Sequence, residues 1–311
     1  MRTETNRNTY KGLNPKYNRK EVVTCYLMLS FTIIGFFVFT IYPMFWAAKT
    51  SFFSYDGIDS HTKFVGWDNF KTLFKDAGYW RAWRMNLGVL LVKTPIEMVL
   101  AFVTGYILTS RVKGAGFFRT IYYLPAVISG AIVALIFSNL FDFFGVINAN
   151  LVKAGIIKES INWFANTSTA FFVIVFATFW MSFGTNVLYM IAALSNVPDD
   201  VKESARLDGA NEFTIMFKIV LPMILPMLSV VLLLSINGIL TLGELVLLLT
   251  GGAPAGTTFT IQAYLMRYTV PGFGGVADLG YMSSVAIITS IISCIVAVVV
   301  NKCSNKMENV Y

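Results

Sequence analysis

The sequence predicts an all-α, polytopic membrane protein with about six transmembrane helices, from its composition, the length of its apolar runs and the placement of its basic residues. Of 311 residues, 56% are hydrophobic and 13% are charged. That charged fraction is roughly half that of an ordinary soluble domain. The apolar residues are spread along the whole chain, which places it in lipid rather than around one aqueous core. Six apolar stretches, at residues 23–47, 86–110, 118–141, 169–194, 219–250 and 280–301, can each span hydrocarbon about 30 Å thick. The fifth is longer than a span needs, so part of it is expected along an interface or in a broken helix. The first is too long for a cleavable signal, and Phe45-Trp46 before Ala47-Ala48 makes a poor cleavage site, so it reads as an uncleaved anchor.

The net charge of +7 raises nucleic acid as a partner. The basic residues, however, sit in short segments between apolar runs, where membrane topology signals belong. With a cytoplasmic N-terminus, the inner segments 1–22, 111–117, 195–218 and 302–311, with Arg119 at the membrane edge, hold 14 Lys and Arg. The outer loops 48–85, 142–168 and 251–279 are longer in total yet hold nine. Both termini are therefore expected in the cytoplasm. The chain divides into a basic tail (1–22), one transmembrane domain (23–301) with its inner loop at 195–218, and a short C-terminal tail (302–311). Cys25 and Cys294 lie in apolar runs and Cys303 in the tail, so no disulfide framework is implied; His61 is the only histidine, which excludes a multi-histidine metal site.

The inner loop is the most informative segment. It runs Leu194-Ser-Asn-Val-Pro-Asp-Asp-Val-Lys-Glu-Ser-Ala-Arg-Leu-Asp-Gly-Ala-Asn and is followed by Lys218-Ile-Val-Leu-Pro222. Pro198 suits the first turn of a short helix, where its missing N–H costs nothing. Asp199 and Asp200 then sit at the positive end of the helix dipole. Glu203 and Arg206, three apart, can pair on the surface. Ala205 and Gly209, four apart, leave one face nearly bare, and Gly209 gives the chain a place to turn. Such a helix can dock closely into a groove on another protein, although a plain connector would look similar.

Glu203-Ser204-Ala205, then Gly209, Ile219 and Leu221-Pro222, resembles the EAA motif of binding-protein-dependent ABC importer permeases, with Ser204 in place of the middle Ala. Further resemblance to the carbohydrate, maltose-type branch lies in Lys63-Phe-Val-Gly-Trp-Asp-Asn-Phe70, Gly116-Phe-Phe-Arg-Thr-Ile-Tyr-Tyr-Leu-Pro125, Trp180 with Gly184, Gly243-Glu-Leu-Val-Leu-Leu-Leu-Thr-Gly-Gly-Ala-Pro254 and Leu279-Gly-Tyr-Met-Ser-Ser284. These fall in order over residues 60–300. The resemblance implies the type I importer permease fold and a multi-pass place in the bacterial cytoplasmic membrane. It implies a second permease subunit forming a heterodimer, two cytoplasmic ATP-binding subunits that hold ATP and Mg, an extracytoplasmic solute-binding protein and a carbohydrate substrate. It also makes 195–218 a coupling loop in which Glu203, Ser204, Ala205, Asp208 and Gly209 meet the ATPase.

Polar residues inside spans usually face a pore or a partner. Asn139, Asn186, Ser235, Asn237, Thr241 and Glu244 are the candidates. Asn237, Thr241 and Glu244, spaced by four and three, are expected on one face of the fifth helix, where an amide, a hydroxyl and a carboxylate suit sugar hydroxyls. The same residues could instead hold helices together or meet the second permease. Lys93, read as two turns in from the outer end of its span, is expected to snorkel to the surface. Pro222 and Pro226 are expected to bend the fifth helix.

No G-x-x-x-x-G-K-[ST] stretch occurs, so no P-loop binds ATP here, and no catalytic elbow, metal cluster or cofactor motif is present. The chain reads as a non-enzymatic transport subunit. An ion-coupled secondary transporter with Glu244 as coupling acid would call for internal repeats, and none is visible. An integral-membrane enzyme would need titratable residues clustered at membrane depth, and the spans offer Glu244, Lys93 and, at an edge, Asp142.

Overall fold

The computed structural model describes residues 19–110, 112–269 and 278–308. Most of the basic tail expected at 1–22, together with Arg111, residues 270–277 of the loop 251–279 and the last three residues of the C-terminal tail, lies outside them. The chain forms two units, one ending at Lys49 and one starting at Thr50. The first unit is a helical rod: α1 (Arg19–Phe36), a wide turn at Phe37–Ile41 and α2 (Tyr42–Thr50). Its apolar part, Val22–Thr50, is 29 residues long, or about 43 Å at 1.5 Å per residue, enough to cross a bilayer.

The second unit opens with a hairpin of β1 (Phe53–Ser54) and β2 (Lys63–Phe64), followed by α3 (Asp68–Lys75). Asn69 ties these together, its Nδ2 donating to the carbonyls of Ser51 and Phe53 at 2.8 and 2.9 Å. The long helix α4 (Ala77–Thr109) follows, capped by Asp76, whose Oδ1 accepts from the Gly78 N–H at 2.7 Å. It begins nine residues before the predicted span at 86, because the cap lies there.

The third apolar stretch is two helices, α5 (Ala115–Val127) and α6 (Gly130–Leu140), bent by 95°. Pro125 sits in the last turn of α5, and Ser129 caps α6 by accepting from the Ile132 N–H. A helix end and a new cap within three residues make the corner. Next come α7 (Val146–Lys153), α8 (Thr167–Leu194) and α9 (Asp199–Leu207). The short α10 (Glu212–Thr214), a wide-turn segment at Ile215–Val220, and α11 (Leu221–Met223) lead into α12 (Leu225–Leu240). The bend before α12 is 75°, in the stretch where Pro222 and Pro226 were expected to produce one. The chain finishes with α13 (Glu244–Thr250), α14 (Ile261–Thr269) and α15 (Leu279–Glu308). Among the described residues four helices are long and apolar enough to cross a membrane, and six spans result if each bent pair counts as one.

Helices in lipid are held by close packing and polar contacts rather than by exclusion of water. Here α4 and α8 lie side by side through small residues. A Cβ on Gly105 would stand 3.0 Å from Cβ of Met190, and one on Gly88 would stand 3.1 Å from the Phe171 ring. Two packing centres result. One gathers Leu73, Tyr79, Val89, Ile174 and Ile261 at the end where α4 and α8 start. The other gathers Phe102, Met190, Leu194, Ala205, Ile215 and Val220 at the end carrying α9. Large apolar side chains such as Leu91 and Val127 remain exposed on the outside of the unit, as lipid contact requires.

At the end opposite α9, the Asp76 carboxylate joins three helices. Its Oδ2 accepts from the Tyr264 and Tyr281 hydroxyls at 2.5 Å each. Burial alone would push the Asp76 carboxyl up, but these two bonds and the backbone N–H groups of Gly78 and Tyr79 outweigh it and hold the group below its ordinary value. About three turns further along α4, buried Asn86 clamps the break after α12: its Nδ2 donates to the Ile239 carbonyl, and its Oδ1 accepts from the Ile261 N–H, both at 2.8 Å. Asn86→Ala leaves that buried N–H without its acceptor, so a loss of about 1–3 kcal/mol is expected. Thermal unfolding of the detergent-solubilised protein checks this, and an unchanged midpoint would mean the clamp contributes nothing.

Candidate functional site

The loop after α8 keeps its predicted helix but turns a different face outward. Pro198 stands just ahead of α9 rather than in its first turn, with Asp199 and Asp200 next. The expected Glu203–Arg206 pair does not form. Instead, Arg206 Nε donates to Glu212 Oε1 at 2.8 Å, and Tyr106 at the end of α4 donates to Glu212 Oε2 at 3.0 Å. The chain reverses at Gly209, which brings α10 back beside α9 and offers Arg206 an acceptor that also ties down α4. Lys202 pairs with Asp199 at 3.0 Å.

The bare stripe expected from Ala205 to Gly209 does not face outward as a unit. Ala205 is only 8% exposed and packs with Ile215 and Val220, so its small side chain lets α9 lie against its own bundle. Gly209 adopts a left-handed φ of +82°, and nothing lies within 4 Å of where its Cβ would be. The outward surface consists of Glu203, Ser204, Asp208 and Gly209 together with Leu207, 89% exposed, and Phe213, 69% exposed. Two bare hydrophobes beside acidic groups on a short helix make a surface suited to a protein partner.

Deeper in the unit, a cavity of about 340 Å³ lies between α8 and α12, lined by Asn186, Tyr189, Ser235, Asn237 and Lys93 among others. The Ser235 hydroxyl donates to Asn186 Oδ1 at 3.5 Å. Three of the six candidates, Asn186, Ser235 and Asn237, thus meet at one cavity. Thr241 and Glu244 do not line it. The reason is the helix break: α12 ends at Leu240, Thr241 turns its hydroxyl back to the Asn237 and Gly238 carbonyls, and Glu244 opens the separate α13. The single polar face expected across Asn237, Thr241 and Glu244 is therefore divided. The Glu244 carboxylate is exposed, and its Oε2 lies 3.4 Å from where a Cβ on Gly130 would be. Asn139, another candidate, bonds back to Leu135 of its own helix.

Lys93 does not snorkel. It lies near the middle of the 33-residue α4, since that helix starts well before the predicted span, and its Nζ stands 2.9 Å from Glu97 Oε2. Glu97 is fully buried, and its Oε1 accepts from the Ser182 hydroxyl on α8 at 2.5 Å. Reading the sequence missed Glu97 altogether. Its spacing of four from Lys93 inside an apolar run was the available signal. An acid and a base one turn apart at membrane depth are costly singly and tolerable together. Asn86 was missed too, being an ordinary amide near a span end. Among the described residues no three His, Cys, Asp or Glu side chains come together as a metal site would require.

The fold and these sites define a multi-pass helical membrane protein with an exposed polar-and-apolar loop and a polar cavity between spans. Residues 97–308 match the family described as the binding-protein-dependent transport system inner membrane component, and the chain belongs to that family. It is a transport component rather than a catalyst. It is 32% identical over 291 residues to the probable ABC transporter permease protein YesP of Bacillus subtilis, covering 92% of each chain. It is 29% identical over 271 residues to the multiple sugar-binding transport system permease protein MsmF of Streptococcus mutans, covering 87% of this chain and 91% of that one. Its structure resembles a chain of a bacterial ABC transporter that imports the acidic polysaccharide alginate, with a TM-score of 0.78, 25% identity, and 92% and 96% of the two chains covered. A second structure of a bacterial alginate ABC transporter, bound to its alginate pentasaccharide-loaded periplasmic protein, matches with a TM-score of 0.77 at 25% identity, covering 93% and 96%.

Proposed function

We propose that this chain is one permease subunit of a carbohydrate ABC importer in a bacterial cytoplasmic membrane, with both termini in the cytoplasm. It forms half of an alternating-access pathway with a second permease. Two ATP-binding subunits holding ATP and Mg dock below, and an extracytoplasmic binding protein delivers the sugar from above. The family match over 97–308 carries this reading, because that span contains the loop and every cavity-lining residue except Lys93. The sugar names of the relatives and the binding-protein complex of the structural neighbour support it.

The geometry supplies a mechanical route. An ATPase closing on Glu203, Ser204, Leu207, Asp208 and Gly209 pushes α9. Through Ala205, α9 bears on Ile215 and Val220, which lead across the 75° bend into α12. That helix carries Asn237 and Ser235 on the cavity wall, so a tilt of α12 about its bend opens or closes the cavity. Asn186 faces it from α8, and Glu244, exposed on α13, lies where the second permease or the passing sugar meets it.

Affinity purification of the tagged chain from its native membrane tests this. A second permease and two ATP-binding subunits should copurify. Uptake in vesicles of the sugar held by the cognate binding protein should require ATP and resist a protonophore. Uptake that needs no ATP and collapses with the proton gradient would favour the ion-coupled alternative.

A further inference from the structure

Among the described residues Lys93 is the one charged side chain lining the 340 Å³ cavity, and its countercharge is built in directly behind it. The other polar groups there, including Asn186, Asn237, Ser235 and Tyr189, are neutral donors and acceptors. We propose that the Lys93–Glu97 pair makes this cavity a passage for uncharged saccharides and selects against sugars that carry a carboxylate. This deepens, and rests on, the carbohydrate reading above.

The pair has two properties that matter. First, Lys93 Nζ stands 2.9 Å from Glu97 Oε2, and an ammonium carries three N–H groups, so at least two of them are not committed to Glu97. They can donate to a guest in the cavity, and hydroxyl oxygens accept such bonds readily. Second, the Glu97 carboxylate is wholly buried and held by the hydroxyl of Ser182, itself on the cavity wall, so it stays beside Lys93. A neutral sugar therefore meets a wall with donors and no net charge. A carboxylate guest would add a second negative charge near Glu97 with one ammonium to share. In a cavity walled by apolar helices that arrangement is strongly disfavoured. Both acidic and uncharged sugars are cargo for proteins that resemble this one, so the distinction is a real choice.

The test uses the complete importer, with its second permease, ATP-binding subunits and binding protein, in proteoliposomes. Uptake is measured for maltotriose, arabinotriose and xylotriose as neutral probes, and for trigalacturonate and an alginate trisaccharide as acidic ones. The wild-type complex is expected to carry only neutral members. Uptake of an acidic member at a comparable rate would overturn this inference and leave the carbohydrate reading standing. Uptake of no member would overturn the carbohydrate reading itself.

The share of this chain, as against the binding protein, is read from inhibition of neutral uptake by free trigalacturonate. Glu97→Gln, which leaves Lys93 uncompensated, is expected to lower the inhibition constant at least tenfold. Adding Lys93→Met to it should return that constant to the wild-type value. An assembled Glu97→Gln complex with an unchanged constant would contradict the proposal. If neither the single nor the double variant assembles, the pair is a folding element and the inference fails.

Discussion

Gly184→Val should prevent this protein from assembling. A Cβ at position 184 would stand 1.8 Å from the Tyr122 carbonyl oxygen, 2.3 Å from its carbonyl carbon and 2.7 Å from the Tyr123 nitrogen. All three are backbone atoms of α5, so no side-chain rotation can make room. The helix itself must move away from α8, and it is held there by neighbours such as Phe183, whose ring meets that of Tyr122 at 5.7 Å. Overpacking a well-filled interface commonly costs about 1–3 kcal/mol. A clash of backbone on backbone with two extra methyl groups belongs at or above the top of that range. The measurement is the yield and melting midpoint of the solubilised complex. Normal yield with normal uptake would mean that α5 does not rest on α8 at this glycine.

A different failure is expected from Gly209→Phe. The φ of +82° disfavours any side chain, by about 1–2 kcal/mol. Nothing in this chain lies within 4 Å of the new Cβ, so there is no internal clash. The bulk lands instead on the outward surface beside Asp208 and Leu207. The protein should therefore insert and fold nearly as before, while copurification of the ATP-binding subunits falls at least tenfold, a change of about 1.4 kcal/mol, and uptake is lost. Gly155→Phe is the control for strain, because Gly155 has a similar φ of +70° and equally open surroundings. It should leave the ATP-binding subunits attached. Equal loss of those subunits in both variants would trace the defect to backbone strain rather than to docking.

The sequence carried the spans well because hydrocarbon thickness sets their length, and a run such as 169–194 differs little from the observed Thr167–Leu194. It carried the short helix of the loop because Pro198 followed by Asp199 and Asp200 is a local helix-start signal. What it could not carry was orientation. Small residues at 205 and 209 suit a groove on a partner and equally suit close contact with the chain's own bundle, and Ala205 turned out to do the second. Likewise Glu203 and Arg206 at i,i+3 offer each other only about 0.2–0.5 kcal/mol. A tertiary acceptor placed by the turn at Gly209 took Arg206 instead. The break at Thr241 is clamped by the distant Asn86, which no local pattern announces. Glu97 was overlooked because the surrounding run remains apolar on average, although its partner Lys93 was in view four residues away.

The most direct test of the central claim is a crosslink at the exposed tip of α9. In a chain with Cys25, Cys294 and Cys303 replaced by serine, Leu207→Cys puts one thiol at a side chain that is 89% exposed. In membranes holding the assembled importer, this thiol should crosslink to the ATP-binding subunit. In intact cells it should escape a membrane-impermeant maleimide added from outside. Labelling from outside, or an assembled complex that yields no adduct with the ATP-binding subunit, would contradict the assignment of this loop as the connection between ATP hydrolysis and transport.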